Sequence, residues 1–194
     1  MPVCEVPSDY QLGVARRQPV RTLREATFDP ALYNALEAFV GCALSDAAVL
    51  IGALATNFYA KPRFADHAEF LVKALPVDLP DAFACQEGGS FIHVPSSARM
   101  QFMTPSMLNL PTDLATKIFT TATLRDGLLV ASREAIVALN LAKAEDRRTH
   151  HECLAIVVSV LAYGDVDLTN GFLLDYRAAA HPLRCQLNSG NLIA

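Results

Sequence analysis

His67 and Glu69, in the segment Asp66-His67-Ala68-Glu69-Phe70-Leu71-Val72, carry the most suggestive chemistry in this sequence. If the segment is a strand, side chains two residues apart project from the same face, so an imidazole and a carboxylate converge. Such a pair could offer mixed nitrogen and oxygen ligands to zinc or manganese. No second His or Cys stands at recognisable ligand spacing, however, and the pair alone does not close a metal site. Asp66 is a substitute carboxylate only if a bulge turns it, because the neighbour of His67 should otherwise face away from Glu69. Lys61 and Arg63 precede the strand and place two cations beside it.

Other polar groups make weaker cases. His150, His151 and Glu152 are consecutive, and neighbours on a helix diverge by about 100° rather than meeting on one ion. Arg147 and Arg148 could meet a phosphate, but Glu145 and Asp146 adjoin them and a solvated ion-pair reading is stronger. Cys85 and Cys153 lack any sign of an activating base, so both are read as buried small hydrophobes. A G-x-S-x-G elbow, a Walker A loop, a Rossmann G-x-G-x-x-G and H-E-x-x-H are all absent.

The elements that must position these residues follow from periodicity. Ala31 to Leu44 places Leu32, Leu36, Phe39 and Val40 at helical spacing. Ala47 to Ile51 is a short apolar run ending at Gly52, which predicts a buried strand stopped by a tight turn, and Ala53 to Tyr59 predicts a short helix ending before Pro62. Glu69 to Val72, Phe91 to Val94 and Met100 to Met103 read as strands, while Val77 to Gly89 holds several breakers and has no clear course. A helix around Leu114 to Thr121, a strand at Leu128 to Val130 and a helix capped by Ser132 follow. Leu154 to Leu161 is apolar nearly all round, predicting a buried helix, and Asp165 to Ala180 predicts an amphipathic one. Val49, Ile51, Leu71, Ile136, Leu139, Ile156 and Val160 are the expected core.

Composition sets the outer limits. At 194 residues, 52% hydrophobic, the chain can bury one sizeable core and is not of disordered type. A net charge of -4 gives no global attraction for nucleic acid, so any such contact must be local. The five dispersed cysteines (Cys4, Cys42, Cys85, Cys153, Cys185) suit reduced thiols better than a disulfide framework. With no apolar leader or membrane-length segment, the expectation is a soluble, cytoplasmic protein with no membrane partner. The expected organisation is an N-terminal arm over 1–29, an α/β core over 30–131 and a helical C-terminal part of the same domain over 132–194.

Two stretches, Gly52 to Val72 (GALATNFYAKPRFADHAEFLV) and Gly127 to Val157 (GLLVASREAIVALNLAKAEDRRTHHECLAIV), resemble the minimal nucleotidyltransferase domain of the DNA polymerase beta-like superfamily, in its bacterial form. With the segment between them they cover a little over half the chain. The resemblance implies an α/β (α+β) fold, with a small mixed sheet flanked by helices. It also implies where chemistry should sit. In the family a Gly-Gly pair opens a helix, two carboxylates on one strand and a third on a neighbouring strand hold Mg²⁺, and a helical lysine meets phosphate. Here those positions carry Gly52 and Ala53, then His67, Glu69 and Gln101, then Asn140, and the following Lys-Asp pair is His151-Glu152. An imidazole and an amide in place of two carboxylates should abolish tight Mg²⁺ binding.

The expectation is therefore a catalytically degenerate nucleotidyltransferase-like protein, a binding module or pseudoenzyme with no catalytic residues, no bound metal and no cofactor. Gly52, Ala53, Lys61, Arg63 and Asn140 would form a weak nucleotide-binding cleft, and the partner would be a nucleotide, RNA or protein. The resemblance also implies a toxin-antitoxin or phage-defence setting. One alternative is a divergent enzyme transferring NMP from a nucleoside triphosphate to a protein, RNA or small-molecule hydroxyl, with Mg²⁺ held by Glu69 and Asp66 or His67. Another is a structural subunit that forms a homodimer through an apolar face. A basic, open pocket at Gly52 and Arg63 would favour ligand binding, and one filled by side chains the structural role.

Overall fold

The computed structural model describes residues 20–143, 156–157 and 159–160. Its first element, α1 (Leu23–Ala26), lies inside the segment expected to be an arm. A capping box explains why so short a helix forms: the Thr22 hydroxyl accepts from the Glu25 N–H, and the Glu25 carboxylate accepts from the Thr22 N–H at 2.8 Å. Leu23 and Ala26 are buried, so this part of the segment belongs to the core.

Helix α2 (Pro30–Val40) opens on Asp29, whose side chain accepts from Ala31 N–H, with Pro30 supplying a preset φ at the first position. It buries Leu32, Leu36 and Phe39 of the stripe its spacing predicts, together with Ala35, while Val40 at its end is only half-buried. Then come β1 (Val49–Ile51), α3 (Gly52–Asn57), β2 (His67–Leu71), β3 (Phe83–Cys85), β4 (Ser90–His93), β5 (Ala98–Met103), α4 (Thr112–Thr121), β6 (Thr123–Arg125), β7 (Leu128–Val130) and α5 (Arg133–Lys143). Ser132 caps α5 as expected, its hydroxyl accepting from Ala135 N–H at 3.2 Å.

The strands form one seven-stranded mixed sheet in the order β3-β4-β5-β2-β1-β7-β6. Strand β2 runs antiparallel to β1 and parallel to β5, and β1 runs parallel to β7. The fold is thus mixed α/β, with helices flanking the sheet. Strands β3 and β6, which periodicity did not reveal, are three-residue edges.

An aromatic cluster locks the register. Phe39 of α2 lies 4.8 Å from Phe70 and 5.7 Å from Phe102, ring centroid to centroid, and Phe70 stacks on Phe102 at 5.3 Å. Because strand side chains alternate, anchoring Phe70 and Phe102 under α2 sends Glu69 and Gln101 to the other face. A one-residue slip would bury both polar groups among rings.

Val49, Ile51, Leu71, Ile136, Leu139 and Val160 are buried as expected. Ile156 is not fully so: it is half-buried and packs against the edge of the core. Cys85, expected to be buried, is exposed at the end of edge strand β3, whereas Cys42 is buried. The expected helix over Asp165 to Ala180 lies outside the described residues, as do Arg147, Arg148, His150, His151, Glu152 and Cys153. No helix among the described residues is long and apolar enough to cross a membrane.

Candidate functional site

Strand β2 starts at His67, and its burial alternates: His67 and Glu69 are partly exposed, Ala68 and Phe70 buried. Strand β5 repeats this with Arg99 and Gln101 outward and Met100 and Phe102 inward. The parallel register sets Glu69 directly beside Gln101 and His67 beside Arg99. One sheet face therefore carries His67, Glu69, Arg99 and Gln101 together. On its other side Glu69 pairs with Ile51, the last residue before Gly52.

That second pairing brings Glu69 onto the β1–α3 turn. Gly52 has φ +71°, a left-handed conformation that favours glycine. A Cβ placed on it would collide with Glu69 Oε2 and meet Glu69 Cδ at 2.8 Å. The carboxylate thus lies directly against the bare Cα, and the space over Gly52 is filled from within the protein. Ala53 follows, exposed, on the first turn of α3.

Asp66 stands just before β2, where no pleat obliges it to point away. Its Oδ1 lies 2.6 Å from His67 Nδ1. An ionised carboxylate only accepts, so Nδ1 is the donor of this hydrogen bond. This hydrogen bond holds the Asp66 carboxyl below the usual aspartate range, helped by the nearby charges of His67 and Arg99. Nε2 lies 4.0 Å from Glu69 Oε1, too far for a hydrogen bond. Asp66, His67 and Glu69 therefore form a short polar array ending at Gly52. Among the described residues, no group of three or more His, Cys, Asp or Glu side chains is placed to hold a metal ion.

Lys61 and Arg63 are exposed on the α3–β2 loop. The loop is held by Asn57, a residue to which sequence reasoning gave no role. Asn57 is only 1% exposed; its amide donates to Arg63 O at 2.8 Å and Ala26 O at 3.0 Å, and its carbonyl accepts from Arg63 N–H at 2.8 Å. Arg21 binds the same turn, donating to the main-chain carbonyl of Asn57 at 3.2 Å and to that of Ala60. Asn140 is buried on α5, and its amide donates to Ile136 O of its own helix at 2.8 Å.

Sequence reasoning also passed over Arg99. Its position two residues before Gln101 was a usable signal, because period-two spacing puts both on one face. Nothing in the sequence marked Asn57.

No family model matches this chain, and no curated protein matches it.

Proposed function

We propose that the chain is a catalytically degenerate nucleotidyltransferase-like protein that works as a binding module and transfers no nucleotide itself. The observation that supports this most is the make-up of one cluster. Glu69 lies in register with Gln101, and His67 is two residues along the same strand face. These are the three positions at which the resemblance calls for carboxylates, and only one carries a carboxylate. Two-metal phosphoryl chemistry needs anionic oxygens to hold both ions against the attacking and leaving groups. An imidazole and a neutral amide bind Mg²⁺ poorly.

The filling of the space over Gly52 bears on the choice between a binding module and a structural subunit. A purely structural filling would be expected to be apolar. Here it is a charged, flexible side chain, with Lys61 and Arg63 exposed on the adjoining loop. A space filled by a side chain nonetheless weighs toward the structural subunit, and the partly exposed polar face of His67, Glu69, Arg99 and Gln101 is what supports a binding module. The partner classes open to it are a nucleotide, an RNA or a protein.

The divergent-enzyme reading has one observation in its favour: Asp66, though outside the strand, is hydrogen-bonded to His67 and so adds a second carboxylate near Glu69. A transfer assay separates the two. Incubating the protein with ATP labelled on its α-phosphate, Mg²⁺ or Mn²⁺, and RNA or protein acceptors should leave every acceptor unlabelled. The His67→Asp, Glu69→Asp, Gln101→Asp variant should bind metal more tightly than the native chain. Labelling of an acceptor by the native protein, lost in Glu69→Ala, would replace the binding-module reading with the enzymatic one.

A further inference from the structure

We propose that the cavity beside α4 is a binding site for a small carboxylic acid with an apolar body, whose carboxylate is held by Lys73. The site stands apart from the Gly52 face: none of His67, Glu69, Arg99 and Gln101 lines it.

The cavity measures about 490 Å³, a size typical of small-molecule sites. Helix α4 supplies one wall. Leu114 and Ile118, four residues apart, are buried in the core, while Ala115, Thr116 and Phe119 fall on the adjoining stripe of the same helix and line the cavity. Pro105 and Leu110, from the connection between β5 and α4, extend the apolar part of the lining. Hydrogen bonds inside the wall decide which groups can hold an anion. Thr116 Oγ1 donates to Thr112 O at 2.9 Å, and Thr120 Oγ1 donates to Thr116 O at 3.0 Å. Both hydroxyl protons are thus engaged by the helix, and these side chains offer a ligand only acceptor lone pairs.

The anchor for an anion is therefore Lys73, the one charged side chain lining the cavity among the described residues. Its ammonium meets no carboxylate and no hydrogen-bond acceptor among them; it lies over the Phe119 ring, 5.7 Å from the centroid. A cation above a ring at an exposed site is held weakly, and all three N–H donors stay free to bind an anion. A second cavity, of about 410 Å³, also touches Lys73 and Phe119. That one carries Asp46, which repels a carboxylate, so an anion is directed into the cavity beside α4, where no acid competes. A single ammonium matches a monoanion, whereas a doubly charged phosphate would keep an uncompensated charge against an apolar wall. The apolar remainder of the ligand replaces water along Pro105, Leu110, Ala115 and Phe119.

Titration calorimetry on the full chain at neutral pH tests this, with naphthylacetate and octanoate as probes. Naphthylethanol, which keeps only the apolar body, and acetate, which keeps only the charge, are the controls. At least one of the two probes should bind with a Kd below about 1 mM, and each control at least about tenfold more weakly. Lys73→Met preserves the apolar stem above the ring and should weaken binding at least about tenfold, while Lys73→Arg retains it. Thr116→Phe, at an exposed position, should fill the cavity and abolish binding, with circular dichroism verifying that each variant is folded. Amide chemical-shift changes on titration should fall on Lys73, α4 and the connection before it. No binding of either probe near 1 mM overturns the proposal. So does binding that survives Lys73→Met or Thr116→Phe in the folded protein, or naphthylethanol binding as tightly as naphthylacetate.

Discussion

Single residues here act through what they touch, and Asn57 is the clearest case. Its one side chain ties α1, the end of α3 and the Lys61–Asp66 loop together with three hydrogen bonds. Truncation leaves the buried Ala26 carbonyl and two partly buried Arg63 backbone groups without this partner, and leaving a buried group unpaired costs about 1–3 kcal/mol. Asn57→Ala should therefore lower stability by roughly 2–4 kcal/mol, measured by urea denaturation, whereas the exposed Asn34→Ala should change it by less than about 0.5 kcal/mol. Asp66 supplies a pH dependence. Its carboxyl is held below the ordinary aspartate value, so its contribution is present above that value and is lost as the pH falls through the lowered one. The loss lies on the acid side of about pH 4, the usual aspartate range. Asp66→Asn should remove that contribution at neutral pH, flatten that part of the acid-unfolding curve and leave stability at strongly acid pH little changed. The convergence of His67, Glu69 and Gln101 could be read from period-two alternation and the resemblance. The folding of Glu69 onto Gly52 could not, because it depends on the pairing of Ile51 with Glu69, and pairing partners are not written locally.

Elements were legible where they are long or regularly patterned. Helix α2, β7 and the Ser132 cap of α5 follow from apolar spacing and cap chemistry that act within a few residues. Strands β3 and β6 escaped because each lies at a sheet edge, paired on one side only, whereas the equally short β1 and β7 lie inside the sheet and read as apolar runs. In β6, Leu124 is 64% exposed, so no alternation of burial marks the strand. The exposure of Cys85 has the same origin. Helix α1 escaped because its stability comes from the Thr22–Glu25 capping box and two buried side chains rather than from any periodicity. Two isoleucines, Ile136 in α5 and Ile156 beyond it, allow a graded test of the core. Ile136 is 1% exposed, and Ile136→Ala should cost about 2–5 kcal/mol through lost transfer energy and the remaining cavity. Half-buried Ile156→Ala should cost visibly less in the same denaturation series. Equal losses would mean that Ile156 belongs to the core as fully as Ile136.

At the scale of the whole molecule, a seven-stranded mixed sheet brings distant segments to one face: the end of β1, the first three residues of β2 and the middle of β5. That face is rich in polar groups and poor in the anionic oxygens that hard cations require. The net charge of -4 makes any attraction for phosphate a local matter of Lys61, Arg63 and Arg99. The central claim is that the cleft cannot organise a nucleotide through Mg²⁺, and titration calorimetry of ATP into the native protein, with and without Mg²⁺, tests it most directly. The account predicts no Mg²⁺-dependent binding at micromolar ATP. Micromolar binding that requires Mg²⁺ and disappears in Glu69→Ala would contradict it and make Glu69 a metal ligand.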